Sequence, residues 1–338
     1  MRRSVARILG AAAFAGLAPV ALAATLDTVK ARGTLACGIN PNLPGFGAPD
    51  AQGAFRGINA DFCRALAAAV LGDAGKVRFV PLTATARIPS LQSGDVDVLS
   101  HNTTWTMSRD TSVGLRLVGT LYRDGQSFLV KTSSGIKSAR ELSGASVCAQ
   151  TGSTTELNLA DYFRTHRMRY EPITFGTNDE ATAAFGAGRC DALTGDASAL
   201  LIERRKLPVP GAFAILPEVI SKEPLGPMIR KGDDGWFDVV RWTLFALINA
   251  EELGITRENA DTLAQTGSPE ARRLLGSEGQ FGKALGLDEA WALRAIKAVG
   301  HYGEVFEANL GSGSQLRQPR GVNALWRDGG LLDAPPVR

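Results

Sequence analysis

Histidine and cysteine are scarce in this 338-residue chain, and each scarcity removes a class of chemistry. The three histidines (His101, His166 and His301) are scattered, and no two of the four cysteines (Cys37, Cys63, Cys148 and Cys190) are close enough to make a Cys-x-x-Cys pair. A zinc site needs such ligands clustered, so none is expected. Also missing is the G-x-S-x-G elbow of a hydrolase. Gly282-Lys283 lacks both the spaced glycine and the following hydroxyl residue of a phosphate-binding loop. No cofactor is called for. Beyond the N-terminus no stretch reaches the ~20 uninterrupted apolar residues of a spanning helix. Val239 to Ala250 is too short and carries Arg241.

Residues 1–23 read as an export signal. Arg2, Arg3 and Arg7 form a charged start, Ile8 to Leu22 is apolar and alanine-rich, and Ala21-Leu22-Ala23 fits a small-residue cleavage site. The mature chain is expected to begin near Ala24 in an oxidising space. The charge balance agrees: of 37 basic and 34 acidic residues, taking away the three leader arginines leaves 34 against 34. That neutrality gives no reason to invoke nucleic acid or a membrane surface as partner. An even number of cysteines in an exported chain favours disulfides, and four cysteines allow three connectivities.

About 315 residues then remain, too many for one compact core and enough for two domains. A faint internal echo gives them a plan. Gly33-Thr-Leu-Ala-Cys37 resembles Gly144-Ala-Ser-Val-Cys148, and LQSGDVDVLSHN (91–102) resembles FGAGRCDALTGD (185–196). In that register Gly94 matches Gly188, Asp97 matches Asp191, and Asn102 matches Asp196. Two α/β lobes of similar plan are expected, with chance similarity as the alternative. If the lobes are real, the economical disulfides are Cys37–Cys63 and Cys148–Cys190, each inside one lobe. Elements alternate as in a parallel α/β sheet. Strands are expected over 34–39, 77–81, 96–99 and 122–131, with helices over 59–70 and 85–92. The second half repeats this with strands over 146–150, 173–175 and 191–194 and helices over 155–166, 179–187 and 197–206. Residues 224–230 should cross back to the first lobe, ahead of a long helix over 236–253, a helical tail to about 306 and an extended wrap.

Polar groups gather where such sheets bind small ligands, at the C-terminal ends of strands. After the strand over 96–99 come Ser100, Asn102, Thr103 and Thr104, then Trp105 and Arg109. Neutral hydrogen-bonding groups beside one planar guanidinium suit a carboxylate-bearing small molecule; an ordinary polar loop with a solvated arginine fits the same residues. In the second half, the turn Thr151-Gly152-Ser153-Thr154-Thr155 lies at a helix N-terminus, where backbone N–H groups favour an anion, though a plain Ser/Thr cap also accounts for it. Asp196 ends a strand and would suit a cationic ammonium, or cap the helix that follows, or both.

Long segments carry a family resemblance. LPGFGAPD (43–50), DFCRALAAAV (61–70), LQSGDVDVLSHNTTWTMSRDTS (91–112), TGSTTELNLADYFR (151–164), SKEPLGP (221–227), DDGWFDVVRWTLFALINAEELGIT (233–256), RRLLGSEGQFGKALGLD (272–288) and GVNALWRDGGLLDAPPVR (321–338) resemble the type II periplasmic solute-binding proteins. The narrowest similarity is to the general L-amino-acid binding proteins of ABC importers, in bacterial extracellular solute-binding protein family 3. The resemblance implies a two-lobed α/β fold with ligand in the cleft, lobe 1 over 24–130 and 230–338 and lobe 2 over 131–229. It also implies a periplasmic, monomeric, non-enzymatic protein delivering L-amino acids to a membrane permease. On matching positions, Arg109 would grip the ligand α-carboxylate, Asn102 and Thr104 would contact carboxylate or ammonium, Ser153 and Thr154 would donate to the carboxylate, and Asp196 would take the ammonium. Leu43, Phe46 and Trp105 would face the ligand side chain. Leu43 stands where many relatives carry an aromatic, His101 where the close group commonly has arginine, and Asn59 where it has aspartate. The rival is a periplasmic dehydratase-like enzyme on the same fold, which would need a cleft general acid.

Overall fold

The computed structural model describes residues 24–338, so the export signal expected over 1–23 lies outside the described residues. The chain opens with α1 (Thr25–Arg32), β1 (Leu35–Ile39), α2 (Ile58–Leu71), β2 (Val77–Pro81), α3 (Arg87–Ser93), β3 (Val98–Ser100), α4 (Met107–Thr111) and β4 (Leu115–Leu117). Next come β5 (Tyr122–Asp124), β6 (Gln126–Lys131), β7 (Ser146–Gln150), α5 (Thr154–Thr165), β8 (Glu171–Phe175), α6 (Asn178–Gly186), β9 (Ala192–Asp196), α7 (Ala197–Lys206) and β10 (Phe213–Ile215). β11 (Glu223–Leu225) and β12 (Met228–Arg230) return, followed by α8 (Asp234–Glu252) and shorter helices that end with Tyr302–Asn309. No helix among the described residues is long and apolar enough to cross a membrane.

Two five-stranded sheets form, in the orders β2-β1-β3-β12-β4 and β10-β6-β9-β7-β8, with β11 and β5 as a two-stranded ribbon. β1 is buried along its whole length because both sheet faces are covered, as its run Leu-Ala-Cys-Gly-Ile requires. The alanine-rich α2 packs close against the helix Trp291–Val299, since small side chains let backbones approach. Trp236, Phe62 and Phe306 fill the larger core, and Phe128, Phe163 and Phe185 fill the cores of the other lobe. The disulfide Cys37–Cys63 ties β1 to α2, and Cys148–Cys190 ties β7 to the turn before β9.

Two expectations need correction. The sheets are mixed: β12 runs against β3 and β4 in the first, and β6 runs against its neighbours β9 and β10 in the second. Those strands belong to the stretches that pass between lobes, which are not βαβ units. The strand expected over 122–131 is two strands that divide at Gly125. β5 pairs with β11 in the ribbon, whereas β6 pairs with β9 and β10. A side chain at Gly125 would put its Cβ 2.2 Å from Val219 Cγ1, so only glycine lets the chain change partners there.

The internal echo has a physical counterpart. Gly94 and Gly188 both adopt left-handed backbone, with φ of 87° and 80°. Three residues after each, an aspartate closes a strand onto its neighbour. Asp97 N donates to Ala36 O at 2.8 Å, and Asp97 Oδ2 accepts from Ala36 N at 2.7 Å. Asp191 does the same to Ser146 at 2.9 and 2.8 Å, one residue out of the sequence register. Asp97 is buried and ion-paired with Arg32, while Asp191 is exposed. Asp97→Ala is therefore expected to lower the unfolding free energy by about 2–3 kcal/mol, because it strands the buried Ala36 N–H. Asp191→Ala is expected to cost less than about 1 kcal/mol. Denaturant titration of both variants checks this; equal losses would contradict the burial argument.

Candidate functional site

The lobes close on each other where the second lobe's first turn meets the first lobe. Gly152 is left-handed (φ 71°), and a Cβ there would lie 2.8 Å from Thr85 Cγ2 of the first lobe. Thr104 Oγ1 and Thr154 Oγ1 lie 3.2 Å apart, and Lys206 Nζ donates across to Asn42 O at 3.0 Å. Between the lobes a cavity is lined by Asn40, Leu43, Arg87, His101, Asn102 and Thr104 from one side. Gln150, Ser153, Thr154, Thr155, Asn178 and Asp196 line it from the other.

Five of the six ligand-binding candidates thus meet: Asn102, Thr104, Ser153, Thr154 and Asp196, together with Leu43. Arg109 lies behind that lining. It is buried in α4, and its Nη1 donates to Thr104 O at 2.7 Å, so it braces the strand-end loop. Phe46 is core, packed edge-on against Tyr122 at 5.2 Å between ring centroids. Trp105 is half exposed, and its backbone N donates to Pro224 O at 2.9 Å in the returning segment.

Local geometry decides what each lining group offers. Asn102 adopts a left-handed backbone (φ 51°), and its Oδ1 accepts from Asn59 Nδ2 at 2.7 Å. Asn59 is itself held by Ser100 Oγ, which donates to Asn59 Oδ1 at 3.2 Å. Asn102 Nδ2 is therefore the end of that amide left for the cavity, a donor. Ser153 occupies the N-cap of α5, yet its hydroxyl donates to Gln150 O at 2.7 Å and makes no cap bond. The first N–H groups of α5 are left with their positive end toward the cavity. Asp196 likewise occupies the N-cap of α7 without a side-chain cap bond. The capping explanations of both residues fail: the Asp196 carboxylate stays unspent, whereas the single hydroxyl proton of Ser153 is spent on Gln150 O and is not free to donate to a carboxylate.

The charges are unevenly compensated. Arg87 is buried, its guanidinium makes only two long contacts to His101, at 3.5 Å to Nδ1 and 3.4 Å to O, and its Nε has no partner among the described residues. Burial and the nearby Arg109 pull Arg87 down to about 9 against the attraction of Asp196 and Glu223. His101 Nε2–H donates to Leu82 O at 2.7 Å, which turns the lone pair of Nδ1 toward Arg87. Burial and Arg87 hold His101 neutral, at about 3. Asp196 is pushed well above the carboxylate range by burial and by Asp124 and Glu223, with Arg87 and Arg109 opposing. Asp124 is raised to about 6, chiefly by burial. The site therefore holds an under-compensated cation at one place and an under-compensated carboxylate at another.

A sequence profile of the bacterial extracellular solute-binding proteins, family 3, matches residues 35–258. The chain belongs to that family. As a family 3 protein it is 53% identical over 332 residues to the general L-amino acid-binding periplasmic protein AapJ of Rhizobium johnstonii, covering 98% of this chain and 97% of the relative. It is 54% identical to the glutamate/glutamine/aspartate/asparagine-binding protein BztA of Rhodobacter capsulatus, covering 97% and 98%. Among solved structures, a periplasmic binding protein of an ABC transporter from Brucella ovis, with glutathione bound, superposes with a TM-score of 0.91 at 52% identity. It covers 94% of this chain and 100% of its own. The two-lobed type II periplasmic binding fold is thereby established.

Reading the sequence missed Arg87 and Glu223 as members of the site. Arg87 stands between Ala86 and Ile88 at the start of a helix whose other buried residue is Leu91. A lone cation in apolar company was the available signal. Glu223 gave less, sitting in Lys222-Glu223-Pro224, which reads as a solvated crossing.

Since Asp196 ionises less readily in the fold than in the unfolded chain, its ionisation removes stability as pH rises from about 4 through its raised folded value. Asp196→Asn is expected to make the ligand-free protein more stable at neutral pH by about 0.5–2 kcal/mol and to flatten the acid-to-neutral decline. Thermal unfolding across that pH range measures it, and a less stable variant at pH 7 would contradict the charge argument.

Proposed function

We propose that this protein is the periplasmic binding component of an ABC importer for L-amino acids with polar side chains, glutamate, glutamine, aspartate and asparagine foremost. The observation that carries this reading is the pair of under-compensated opposite charges, Arg87 and Asp196, presented from different lobes into one cavity. An amino acid with an acceptor side chain satisfies both at once, its α-ammonium meeting Asp196 and its side-chain acceptor meeting Arg87, and burying it is tolerable only because each charge meets a partner. The N-terminus of α5 receives the α-carboxylate, with Arg109 bracing the Thr104 loop and adding its positive charge from behind the lining. Asp196 receives the α-ammonium, and Arg87 takes the acceptor group of the side chain beside Leu43 and Asn102. The names of BztA and AapJ support the ligand class. Glutathione, bound in the Brucella relative, carries the same α-amino acid head on a longer acceptor chain.

Capture is a hinged closure. The ligand settles on lobe 1, and contacts from lobe 2 bias the open–closed equilibrium because they exist only when the lobes meet. The closed, monomeric protein then docks on the permease, after export and removal of residues 1–23. The dehydratase reading required a cleft acid besides Asp196. Asp124 and Glu223 are the nearby carboxylates, but neither lines the cavity, and Glu223 is filled with hydrogen-bond donors.

Titration calorimetry of ligand-stripped mature protein with all twenty amino acids tests the reading. Heat is expected from several polar L-amino acids without turnover; silence toward all twenty would overturn it. Arg109→Ala is expected to weaken every bound amino acid by about 3 kcal/mol or more, because it removes both the brace on the Thr104 loop and a buried positive charge that offsets the carboxylate. Arg87→Met is expected to act selectively, costing acidic and amide ligands about 2 kcal/mol more than alanine or serine. A uniform loss across ligands would remove Arg87 from side-chain recognition.

A further inference from the structure

Glu223 stands behind the cavity on β11, paired in register with Asp124 of β5 in the ribbon that joins the lobes. It is 2% exposed, and its two oxygens are fully engaged. Oε2 accepts from Thr104 Oγ1 at 2.5 Å and from Thr154 Oγ1 at 3.0 Å. Oε1 accepts from Asn158 Nδ2 at 2.6 Å and from Ser221 Oγ at 2.7 Å. Thr104 belongs to the first lobe, and Thr154 and Asn158 to the second.

The protons of this cluster can be counted. Thr104 Oγ1, Thr154 Oγ1 and Glu223 Oε2 form a triangle with sides of 2.5, 3.0 and 3.2 Å. Each hydroxyl has one proton and two lone pairs, and the carboxylate has none. A carboxylate is the stronger acceptor, so both protons go to Glu223. The 3.2 Å edge between the hydroxyls is left without a proton. Both threonines line the cavity, and with their protons spent on Glu223 their hydroxyls can offer it only lone pairs. Two acceptor oxygens side by side, one from each lobe, in the cavity that Asp196 also lines, match a group with several N–H donors. They do not match a carboxylate, which needs donors. Asn102, with its Nδ2 left for the cavity, has the opposite polarity.

We propose that Glu223 is a positioning residue: by taking the hydroxyl protons of Thr104 and Thr154 it makes that pair an acceptor for the ligand's α-ammonium, assembled only when the lobes meet. The proposal rests on the amino-acid reading above. It reassigns Thr154, which the family resemblance had placed on the carboxylate, and it gives amine recognition a second element besides Asp196. A carboxylate that merely clamped the lobes would weaken all ligands alike, whereas one that also sets hydroxyl polarity weakens amine-bearing ligands further.

The test compares L-glutamine with its des-amino analogue, 4-carbamoylbutanoate, by calorimetric titration and competition on the full mature protein. In Glu223→Leu the freed hydroxyl protons turn toward the cavity. Loss of the inter-lobe contacts weakens both ligands, and glutamine is expected to lose at least about tenfold more affinity than the analogue. Glu223→Gln, whose amide oxygen still accepts from both hydroxyls, is expected to restore the preference for the amine to within about threefold of wild type. Thr154→Val, which removes one acceptor and leaves Glu223 in place, is expected to show the same selective loss and carries the comparison should leucine prevent folding. Equal losses for both ligands, or an unchanged amine preference in the leucine and valine variants, would overturn the proposal. A wild-type protein that binds neither ligand would remove the amino-acid reading, and the proposal with it; wild-type binding with non-selective variants would remove the proposal alone.

Discussion

Withdrawing charged groups from water costs several kcal/mol per ion unless each finds a partner, and closing two lobes does this to Arg87, Arg109, Asp196 and Glu223 together. Which of them the protein satisfies for itself separates scaffold from site. Glu223 receives four donors, and Arg109 is braced on the Thr104 carbonyl. Arg87 has only long contacts to His101, and Asp196 lacks even the cap bond its position offers. Arg87 is buried and Asp196 half-buried on the cavity wall, and charged groups left this way call for a partner from outside the chain. The two incompletely satisfied charges have opposite sign and line one cavity, the observation on which the proposed amino-acid site rests.

The architecture keeps each lobe stiff and leaves the connection between them light. Both disulfides lie within single lobes, so neither restrains the angle between lobes. What passes between them is the short ribbon of β5 and β11, together with Gly125, where the chain leaves the ribbon for the second sheet. Hinged closure needs that combination, because rigid lobes turn a small rotation at the crossing into a large change at the cleft mouth.

Much of this was legible in the sequence. The alternating elements and the hydroxyl-rich stretch after β3 follow from local chemistry, and Asp97 and Asp191 share a role because a strand entry of the same kind recurs. The short strands β4, β10, β11 and β12 were not legible, since three residues are too few for a period-2 pattern. Nor was the break at Gly125, which depends on Val219 and Ser221 reaching it from far along the chain. The site divided along the same line. Residues presented by their own strand end or turn (Asn102, Thr104, Ser153, Thr154, Asp196) could be named from local chemistry. Arg87 and Glu223 could not, because their importance lies in which distant groups surround them.

The two lobes carry opposing contributions to closure. The Glu223 cluster favours the closed form, since Thr104 from one lobe and Thr154 and Asn158 from the other share a single carboxylate. Asp196 opposes it: burial together with Asp124 and Glu223 raises its protonation above the usual carboxylate range, so closing the cleft over its ionised form is unfavourable. Without ligand these terms act against each other, and the equilibrium need not lie far to either side. A bound α-ammonium reverses only the second term, turning Asp196 from a liability into a partner while the cluster stays intact. A ligand shifts an equilibrium only by its differential affinity for the two states. On the proposed assignment of Asp196 that difference is concentrated on the amine, the group every L-amino acid shares, which would let a binding protein close on many side chains through one set of contacts.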